Sequence, residues 1–562
     1  MKFSEMVYKK PEIEELSASL SALLSEFEGA ESAGEQIEII EKAYKVQGTF
    51  STMAALTYIR HTIDTADKFY DEQNNYIDEI SPLVEELTQK FSRAMLASRF
   101  RAELEGHFGE LLFTNLEISV RTFKSDMIEL MQQENALASE YQKLYAGAIV
   151  EFDGKRLTLS ELGPYKGDTD RAVRRAAYAA EGAFFDDNRE ELDRLFTELI
   201  KNRTAQAKLL GHENYLQLGY DRLGRNCYGI EQVEEFRAQI AKELVPIVFG
   251  VKAIQARRLG LRELKIYDDG ALFPDGNPKP KGTAEDILEA GREMYHALSP
   301  ETSEFIDFMY DGELLDVLSK PGKAPGGYCT TIYDYKAPFI FSNFNATSGD
   351  VDVLTHEAGH AFADYRSMKH GYIEPLQNPT IEACECHSMS MEFLTGQYHR
   401  GFFGEDAAKY ELSHCEDALS IISYIALVDE FQHKVYENPD MTAQGRNEIW
   451  LSLEAKYRPW IKHDNLPFYA RGASWQRQLH IYLYPLYYID YAMAQTVAFQ
   501  FWMAFLESPK EAWGRYLSFV DAGGTKTFEA LVKDAGLKIP YEPGCIKAVA
   551  EGVFAWISDN QI

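Results

Sequence analysis

The chain has few cysteines, six among 562 residues, and they are Cys227, Cys329, Cys384, Cys386, Cys415 and Cys545. They are scattered, and no two have the spacing of a CxxC pair. This usage argues against a disulfide framework and predicts a reducing, cytoplasmic setting.

Positive charge is also scarce, since 57 Lys and Arg face 88 Asp and Glu, which gives a formal net charge of −31. Such an acidic surface repels phosphate backbones and anionic lipids, so we expect neither nucleic acid nor a membrane as a partner. No run of about 18 apolar residues is present, which predicts no membrane-spanning helix. The opening residues, MKFSEMVYKKPEIEEL, lack the apolar stretch of a secretory signal.

Helical periodicity is abundant in the sequence. Residues 12–48, 62–107 and 116–148 have apolar positions three and four apart, which predicts long amphipathic helices. Gly, Pro and a short β-type run at 151–167 predict a hairpin and a boundary. We therefore expect a mainly α fold, with an N-terminal helical lobe at 1–167 and a second domain at 168–562.

One segment, 321–350, is rich in Gly, aromatic and β-branched residues and gives the only sizeable β signal. Within it, residues 338–345 alternate like a strand, and Gly326 and Gly327 mark a turn. An isolated strand beside a catalytic helix could present its edge to an extended peptide. A plain hairpin packed on helices is an equally good interpretation.

The segment that follows reads DVLTHEAGHAFADY at 352–365, inside a helix predicted over about 351–369. His356 and His360 lie one turn apart, so their imidazoles can converge on one zinc ion. Glu357 then lies beside the open position of the metal, where it can accept a proton from a water. His-Glu-x-x-His therefore predicts a hydrolytic zinc site.

A third protein ligand is needed, because catalytic zinc sites have three and keep one place open. A second helix, predicted to begin near 378–380, continues as IEACECHSMSMEFL at 381–394. It offers several candidate ligands: Glu382, Cys384, Glu385, Cys386, His387 and Glu392. Spacing alone does not choose among them, although a carboxylate leaves the metal a stronger Lewis acid than a thiolate does.

A polar-aromatic stripe occurs far downstream, in SWQRQLHIYLYPLYYIDYAMAQ at 474–495. His480, Tyr484, Tyr488 and Tyr491 share one face if this segment is a helix. Their hydroxyl and imidazole groups are donors that could stabilise the oxyanion formed when an amide is hydrolysed. We favour His480 and Tyr491, then Tyr484, with Tyr488 last.

The motifs HEAGHAFA and NPTIEACECHSMSMEFL resemble those of the thimet-oligopeptidase-like zinc metallopeptidases, most closely the oligoendopeptidase F branch. That family has a ligand Glu 25 residues after the second His, with a Ser three residues and an acidic residue seven residues further on. The matching positions here are Glu385, Ser388 and Glu392.

The resemblance implies His356, His360 and Glu385 as zinc ligands and Glu357 as the general base. Glu382 and Glu392 become candidates for orienting an imidazole. His387 and the two neighbouring cysteines become packing residues.

The resemblance extends from about residue 170 to the end, and more loosely over the N-terminal helices. It implies a helical body around a deep channel, a substrate-binding strand in PGGYCTTIYDYKAPFIF, and a catalytic domain at 168–562. Gly326 and Gly327 become candidate substrate contacts.

We therefore expect a zinc metalloendopeptidase with one Zn²⁺ per chain that hydrolyses short unfolded peptides. A metallocarboxypeptidase of similar helical fold stays open as an alternative, as does a non-catalytic, metal-stabilised binding protein. The sequence does not determine the oligomeric state.

Overall fold

The structure is a computed structural model that describes residues 1–320, 322–324 and 326–562. Helices account for 72% of the chain and strands for 4%, which confirms the predicted mainly α fold class. The α-helices are α1 (Ile13–Gly29), α2 (Ala33–Ile63), α3 (Lys68–Leu96), α4 (Arg101–Phe108), α5 (Glu110–Arg121), α6 (Ile128–Ala146), α7 (Gly163–Lys166), α8 (Arg171–Asp187), α9 (Arg189–Leu209), α10 (Tyr215–Arg222), α11 (Ile230–Gln239), α12 (Val245–Arg258), α13 (Ala284–Leu298), α14 (Pro300–Asp311), α15 (Ser348–His370), α16 (Ile381–Leu394), α17 (His399–Phe403), α18 (Ala407–Glu437), α19 (Ala443–Tyr457), α20 (Pro467–Ala470), α21 (Leu479–Leu483), α22 (Ile489–Glu507), α23 (Pro509–Asp521), α24 (Phe528–Asp534) and α25 (Cys545–Asp559). The strands are β1 (Ile149–Phe152), β2 (Lys155–Thr158), β3 (Leu315–Leu318), β4 (Tyr328–Ile332) and β5 (Ala337–Phe344).

The N-terminal helices are shorter than the periodicity predicts. The predicted helix 12–48 is two helices, α1 and α2, because Ser32 caps a new helix by accepting a hydrogen bond from the Glu35 N–H at 3.3 Å. The predicted helices 62–107 and 116–148 are also interrupted, between α3 and α4 and between α5 and α6. The hairpin predicted within 151–167 is confirmed as the antiparallel pair β1 and β2.

Most of the apolar side chains belong to one large hydrophobic cluster, which includes buried residues of α9, α15, α16, α18, α22 and α25. A smaller cluster contains buried residues from all five helices α1 through α5. Within it, the rings of Phe27 and Phe91 lie 5.4 Å apart. Burial of this apolar surface is the main force that holds the helices together. The division into a lobe at 1–167 and a domain at 168–562 stays a prediction.

The strand predicted at 338–345 is β5, the central strand of a three-stranded sheet. It runs parallel to β3 and antiparallel to β4. Every residue of β5 except Asn343 is buried, which is typical of a strand covered on both faces. The sheet therefore has a rigid centre, directly before the helix that carries the histidine motif.

The connection from β5 to α15 is fixed by one carboxylate. Asp350 Oδ2 accepts hydrogen bonds from the N–H groups of Asn345, Ala346 and Thr347 at 2.9, 2.6 and 3.1 Å. These bonds satisfy backbone donors at the start of the helix, where a negative charge is also favourable. Gly371, at φ 78°, ends α15 in the left-handed conformation, so the predicted helix 351–369 is confirmed.

Helices α15 and α16 touch at Gly359. A Cβ atom at this position would lie 2.6 Å from Ser388 Cα and 2.8 Å from the His387 carbonyl oxygen. Both neighbours are backbone atoms of α16, so no side-chain movement can relieve the overlap. Glycine therefore sets the distance between the two helices.

Membrane spans and the state of the cysteines can be described from the structure. Within the described ranges, no helix combines the length and the continuous apolar sequence that a span needs. All six cysteines are unpaired. The cytoplasmic setting stays a prediction.

We expect Gly359→Ala to destabilise the protein by about 1–3 kcal/mol, because the added methyl group forces two helix backbones apart. The measurement is the free energy of unfolding from urea titration. The matched control is Gly106→Ala on α4, an exposed helical glycine with no atom near its Cβ position. This control should be neutral or slightly stabilising, and equal behaviour of the two variants would contradict the close helix contact.

Candidate metal centre

Two imidazoles of α15 converge at the face that meets α16. The rings of His356 and His360 are one helical turn apart, with centroids separated by 5.0 Å. The adjoining face of the helix packs into the core through residues such as Val351, Leu354 and Phe362. This burial of the apolar face fixes the rotation of the helix and hence the direction of both imidazoles.

Glu385 on α16 brings a carboxylate oxygen to the same point. Its Oε2 lies 3.3 Å from His356 Nε2 and 3.5 Å from His360 Nε2. Tetrahedral zinc with ligands at ~2.0–2.1 Å separates neighbouring ligand atoms by roughly 3.3–3.4 Å. The three side chains therefore fit a single ion of this kind, as a group whose ligand atoms lie within 4.8 Å of one another. Their number leaves one position of a tetrahedron for water or substrate.

The Glu385 carboxylate is ionised and held from two further sides. Burial raises its pKa, but His360 and His356 outweigh this effect and lower the pKa well below its ordinary value. Ser388 Oγ donates a hydrogen bond to Oε2 at 3.2 Å, and the Tyr487 hydroxyl donates to Oε1. The predicted ligand thus has a fixed orientation.

Glu392 orients one imidazole. Its Oε1 lies 2.7 Å from His356 Nδ1, and its Oε2 lies 2.9 Å from Nε2 of His414 on α18. Burial raises the pKa of Glu392, but the hydrogen bonds from the two histidines lower it to about 2. When His356 Nδ1 carries the proton in this bond, the lone pair on Nε2 is directed at the site.

The other carboxylate proposed for this role, Glu382, contacts neither histidine. Its Oε1 accepts a hydrogen bond from Thr380 Oγ1 at 2.7 Å, and burial raises its pKa. His387, Cys384 and Cys386 also lie outside the group of converging ligand atoms. Of the six candidate ligands on the second helix, Glu385 is thus the one that joins His356 and His360 in the group of converging ligand atoms.

Glu357 is a buried carboxylate directly beside the first imidazole. Burial raises its pKa, and the neighbouring His356 and His360 only partly oppose this rise. A carboxylate with a raised pKa is a stronger base than an ordinary surface glutamate. The buried environment of Glu357 therefore suits its predicted role as a general base.

The stripe from His480 to Tyr491 requires one continuous helix, and this segment contains two, α21 and α22. α21 ends at Leu483, and Tyr484, Pro485 and Leu486 form a turn in which Leu486 is left-handed at φ 67°. The reason is Pro485, which has no N–H and cannot continue the helix. A single helix would place Tyr484 on the same face as His480, but in the structure the Tyr484 side chain is 57% exposed.

The turn brings Tyr487, which sequence analysis did not select, to the metal centre. Its hydroxyl donates to Glu385, and its ring lies 5.8 Å from that of His480 and 5.0 Å from that of Tyr491. Tyr488 packs its ring 4.7 Å from His480. The signal for Tyr487 in the sequence is Pro485. A new helix that begins after this proline places Tyr487 four residues before Tyr491, on the same face.

His480 itself is neutral near pH 7, because burial lowers its pKa to about 4. Its Nδ1 lies 2.9 Å from Gln478 Nε2. The ring of Tyr491 is 5.7 Å away. His480 and Tyr491, the two favoured residues of the predicted stripe, are therefore in one cluster with Tyr487.

Gly326 and Gly327 lie directly before β4. Gly326 has φ 98°, and a Cβ atom there would meet nothing within 4 Å. β4 is linked to the histidine helix, since Thr331 Oγ1 donates to Asp364 Oδ2 of α15 at 2.5 Å. The strand is thus positioned relative to the metal centre.

A second group, Glu234, His433 and Glu437, also brings three ligand atoms close together. Two of its members are exposed, and Arg237, Lys434 and Lys456 line the same cavity of about 220 Å³. Three cationic side chains oppose a metal ion there. The group formed by His356, His360 and Glu385 is therefore the candidate metal centre.

Comparison with known proteins identifies relatives across nearly the whole chain. The model for the Peptidase M3 N-terminal domain matches residues 3–123, and the model for Peptidase family M3 matches residues 165–551. The structure of PZ peptidase A with inhibitor 2 is similar at 47% identity and a TM-score of 0.96, over 99% of both chains.

Two further relatives carry oligopeptidase names. A structure described as a candidate oligoendopeptidase F from Bacillus anthracis str. Ames is 43% identical, with a TM-score of 0.91 over 100% of this chain and 99% of that chain. Oligopeptidase PepF of Bacillus subtilis (strain 168) is 23% identical, over 93% of this chain and 81% of that protein.

We expect Glu392→Gln to weaken metal binding about 10–100-fold, because the amide cannot hold the protons of both His356 and His414. Affinity would be measured by zinc titration in competition with a chelator. The control is Glu382→Gln on the same helix, because Glu382 hydrogen-bonds to Thr380 and contacts neither histidine. This variant should bind zinc as the wild type does. Wild-type affinity in Glu392→Gln would contradict the orienting role.

Proposed function

Since the chain belongs to peptidase family M3 and is therefore a peptidase, we propose that it is a zinc metalloendopeptidase that hydrolyses short unfolded peptides. One Zn²⁺ per chain would be held by Nε2 of His356, Nε2 of His360 and the carboxylate of Glu385. The observation that carries the proposal is the 3.3 and 3.5 Å spacing of these atoms. The buried Glu357 carboxylate interacts electrostatically with both histidines.

Bound zinc supplies Lewis acidity, which polarises a peptide carbonyl and increases the acidity of a water. A carboxylate oxygen of Glu357 takes the proton of that water as the new C–O bond forms, and then delivers it to the nitrogen of the leaving amine. The burial that raises the pKa of Glu357 supports both steps, because the group must accept a proton and hold it briefly.

The proposed donors for the developing oxyanion are the hydroxyl of Tyr491, the Nε2–H of His480 and the hydroxyl of Tyr487, whose single proton turns from Glu385 to the oxyanion. Burial raises the pKa of both tyrosines, so their hydroxyls keep their protons and remain donors. Preorganised donors of this kind stabilise charge that appears only in the transition state. We propose Tyr487 in place of Tyr484, because Tyr487 belongs to the cluster around Glu385.

The peptide backbone is proposed to bind along β4. In the described sheet this strand pairs with β5 on one side only, which leaves its second edge for an extended chain. The hydrogen bond between Thr331 and Asp364 ties that edge to the metal helix. Gly326 and Gly327, which open the strand, would let a peptide approach closely. The limit to short peptides rests on the channel that the family resemblance implies.

We expect Glu357→Gln to retain zinc and to lose about 10²–10⁴-fold in kcat, because the amide cannot accept the proton of a water. The substrate is a quenched fluorescent peptide with an amidated C-terminus, and the zinc content is measured in the same samples. Chelation should abolish wild-type cleavage, and added zinc should restore it.

The amidated peptide separates the alternatives. An endopeptidase cleaves it internally, whereas a carboxypeptidase requires the free carboxylate and leaves it intact. A protein that binds zinc but cleaves no peptide in the wild-type form would be the binding protein. Wild-type turnover by Glu357→Gln would contradict the assignment of the base.

We expect Tyr487→Phe to lower kcat by about 10²-fold, because one oxyanion donor is lost. Tyr484→Phe is the matched control, since it removes the same hydroxyl from an exposed ring, and it should leave kcat unchanged. Steady-state kinetics on the amidated peptide provide the measurement. The reverse order of effects would support the single-helix stripe and contradict the role of Tyr487.

A further inference from the structure

A chain of three polar side chains leads away from the metal centre behind His480. Gln478, the residue immediately before α21, places its Nε2 2.9 Å from His480 Nδ1. Its Oε1 accepts a hydrogen bond from the Tyr424 hydroxyl of α18 at 2.9 Å. The amide is therefore held at both ends.

With the amide nitrogen of Gln478 facing His480, the position of the ring proton follows. A side-chain NH₂ group can only donate, so His480 Nδ1 must accept with its lone pair. A neutral imidazole has one proton, which then resides on Nε2. In this orientation the Tyr424 hydroxyl donates to the amide oxygen. In the flipped orientation the same hydroxyl would accept from the amide and His480 Nδ1 would carry the proton, so the ring ¹⁵N measurement described below distinguishes the two.

We propose that Gln478 is a positioning residue that fixes His480 as the Nε2–H tautomer. The proposal rests on the proposed function, in which Nε2–H is a donor to the oxyanion. In the opposite tautomer, Nε2 would present a lone pair to a negative oxygen and would repel it. Gln478 touches no reacting atom and acts only through His480.

Among the groups that surround the His480 ring, the Gln478 amide is the one in position to set the tautomer of the ring. The rings of Tyr484, Tyr487, Tyr488 and Tyr491 face His480 at 6.1, 5.8, 4.7 and 5.7 Å between centroids. Glu385 is the nearby charged group that acts on it, and it does so without a direct hydrogen bond in the described structure. Gln478 is the residue that hydrogen-bonds to the imidazole.

The test compares Gln478→Met with Gln478→Glu in the zinc-loaded full-length enzyme. Methionine has similar length but no donor, so the tautomer is no longer fixed. We expect kcat to fall about 10- to 100-fold, with KM little changed, because the loss concerns a transition-state donor. Gln444→Met, an exposed glutamine of α19, is the matched control and should match the wild type.

Glutamate at 478 gives a distinctive pH dependence. Its carboxylate accepts from Nδ1–H and raises the pKa of His480. Below that pKa the imidazolium still donates from Nε2, whereas above it the single proton stays on Nδ1 and the donor is lost. We therefore expect the kcat of Gln478→Glu, relative to the wild type, to fall as pH rises through the raised pKa of His480. A packing defect alone would lower kcat at every pH.

The tautomer is read directly from the ring ¹⁵N shifts of protein labelled with ¹⁵N-histidine, with His480→Ala used to assign the signal. A wild-type His480 protonated on Nε2, and a change in Gln478→Met, support the proposal. A wild-type proton on Nδ1, or unchanged kcat in Gln478→Met, overturns it. If the wild type cleaves no peptide, the proposed function fails, and the tautomer still decides the inference about Gln478.

Discussion

The contact of α15 with α16 at Gly359 is the constraint on which the metal centre depends. Ligand atoms from two different helices must meet within about 3.5 Å, and helices with ordinary side chains between them lie 8–10 Å apart at their axes. A glycine between His356 and His360 lets the backbone of α16 approach directly. Glu385 then reaches both imidazoles without leaving its helix.

A second constraint is the turn between α21 and α22, in which Leu486 is both strained and buried. Leu486 is left-handed, its N–H donates to Gln432 Oε1 at 2.9 Å, and its carbonyl accepts from Arg225 Nη2 at 2.7 Å. Arg225 also pairs with buried Asp490 at 2.7 Å. These buried partners satisfy the backbone where the helix is broken, and the break is what turns Tyr487 toward Glu385.

The electrostatics of the centre follow from the alternation of carboxylates and imidazoles. Glu392 lies between His356 and His414, and Glu385 lies between His356 and His360, so each carboxylate faces two rings. Burial alone would raise the pKa of both acids, but the histidines lower it, and both remain ionised. Glu357 lacks such bonds and keeps a raised pKa. Neighbouring carboxylates in one site thus suit different roles, because their hydrogen-bond partners differ.

The sequence by itself determined the mainly α class, the strand at 338–345, and the helix with His356, Glu357 and His360 one turn apart. These features follow from local periodicity and from residues adjacent in the chain. It also selected Glu385, but only through family resemblance, because spacing within 381–394 left six candidates. Tertiary structure decided which carboxylate contacts an imidazole, and it placed Tyr487, in place of the exposed Tyr484, beside Glu385. It alone brought His414 and Gln478 into contact with Glu392 and His480, because those contacts depend on helix packing and on a proline break that periodicity does not specify.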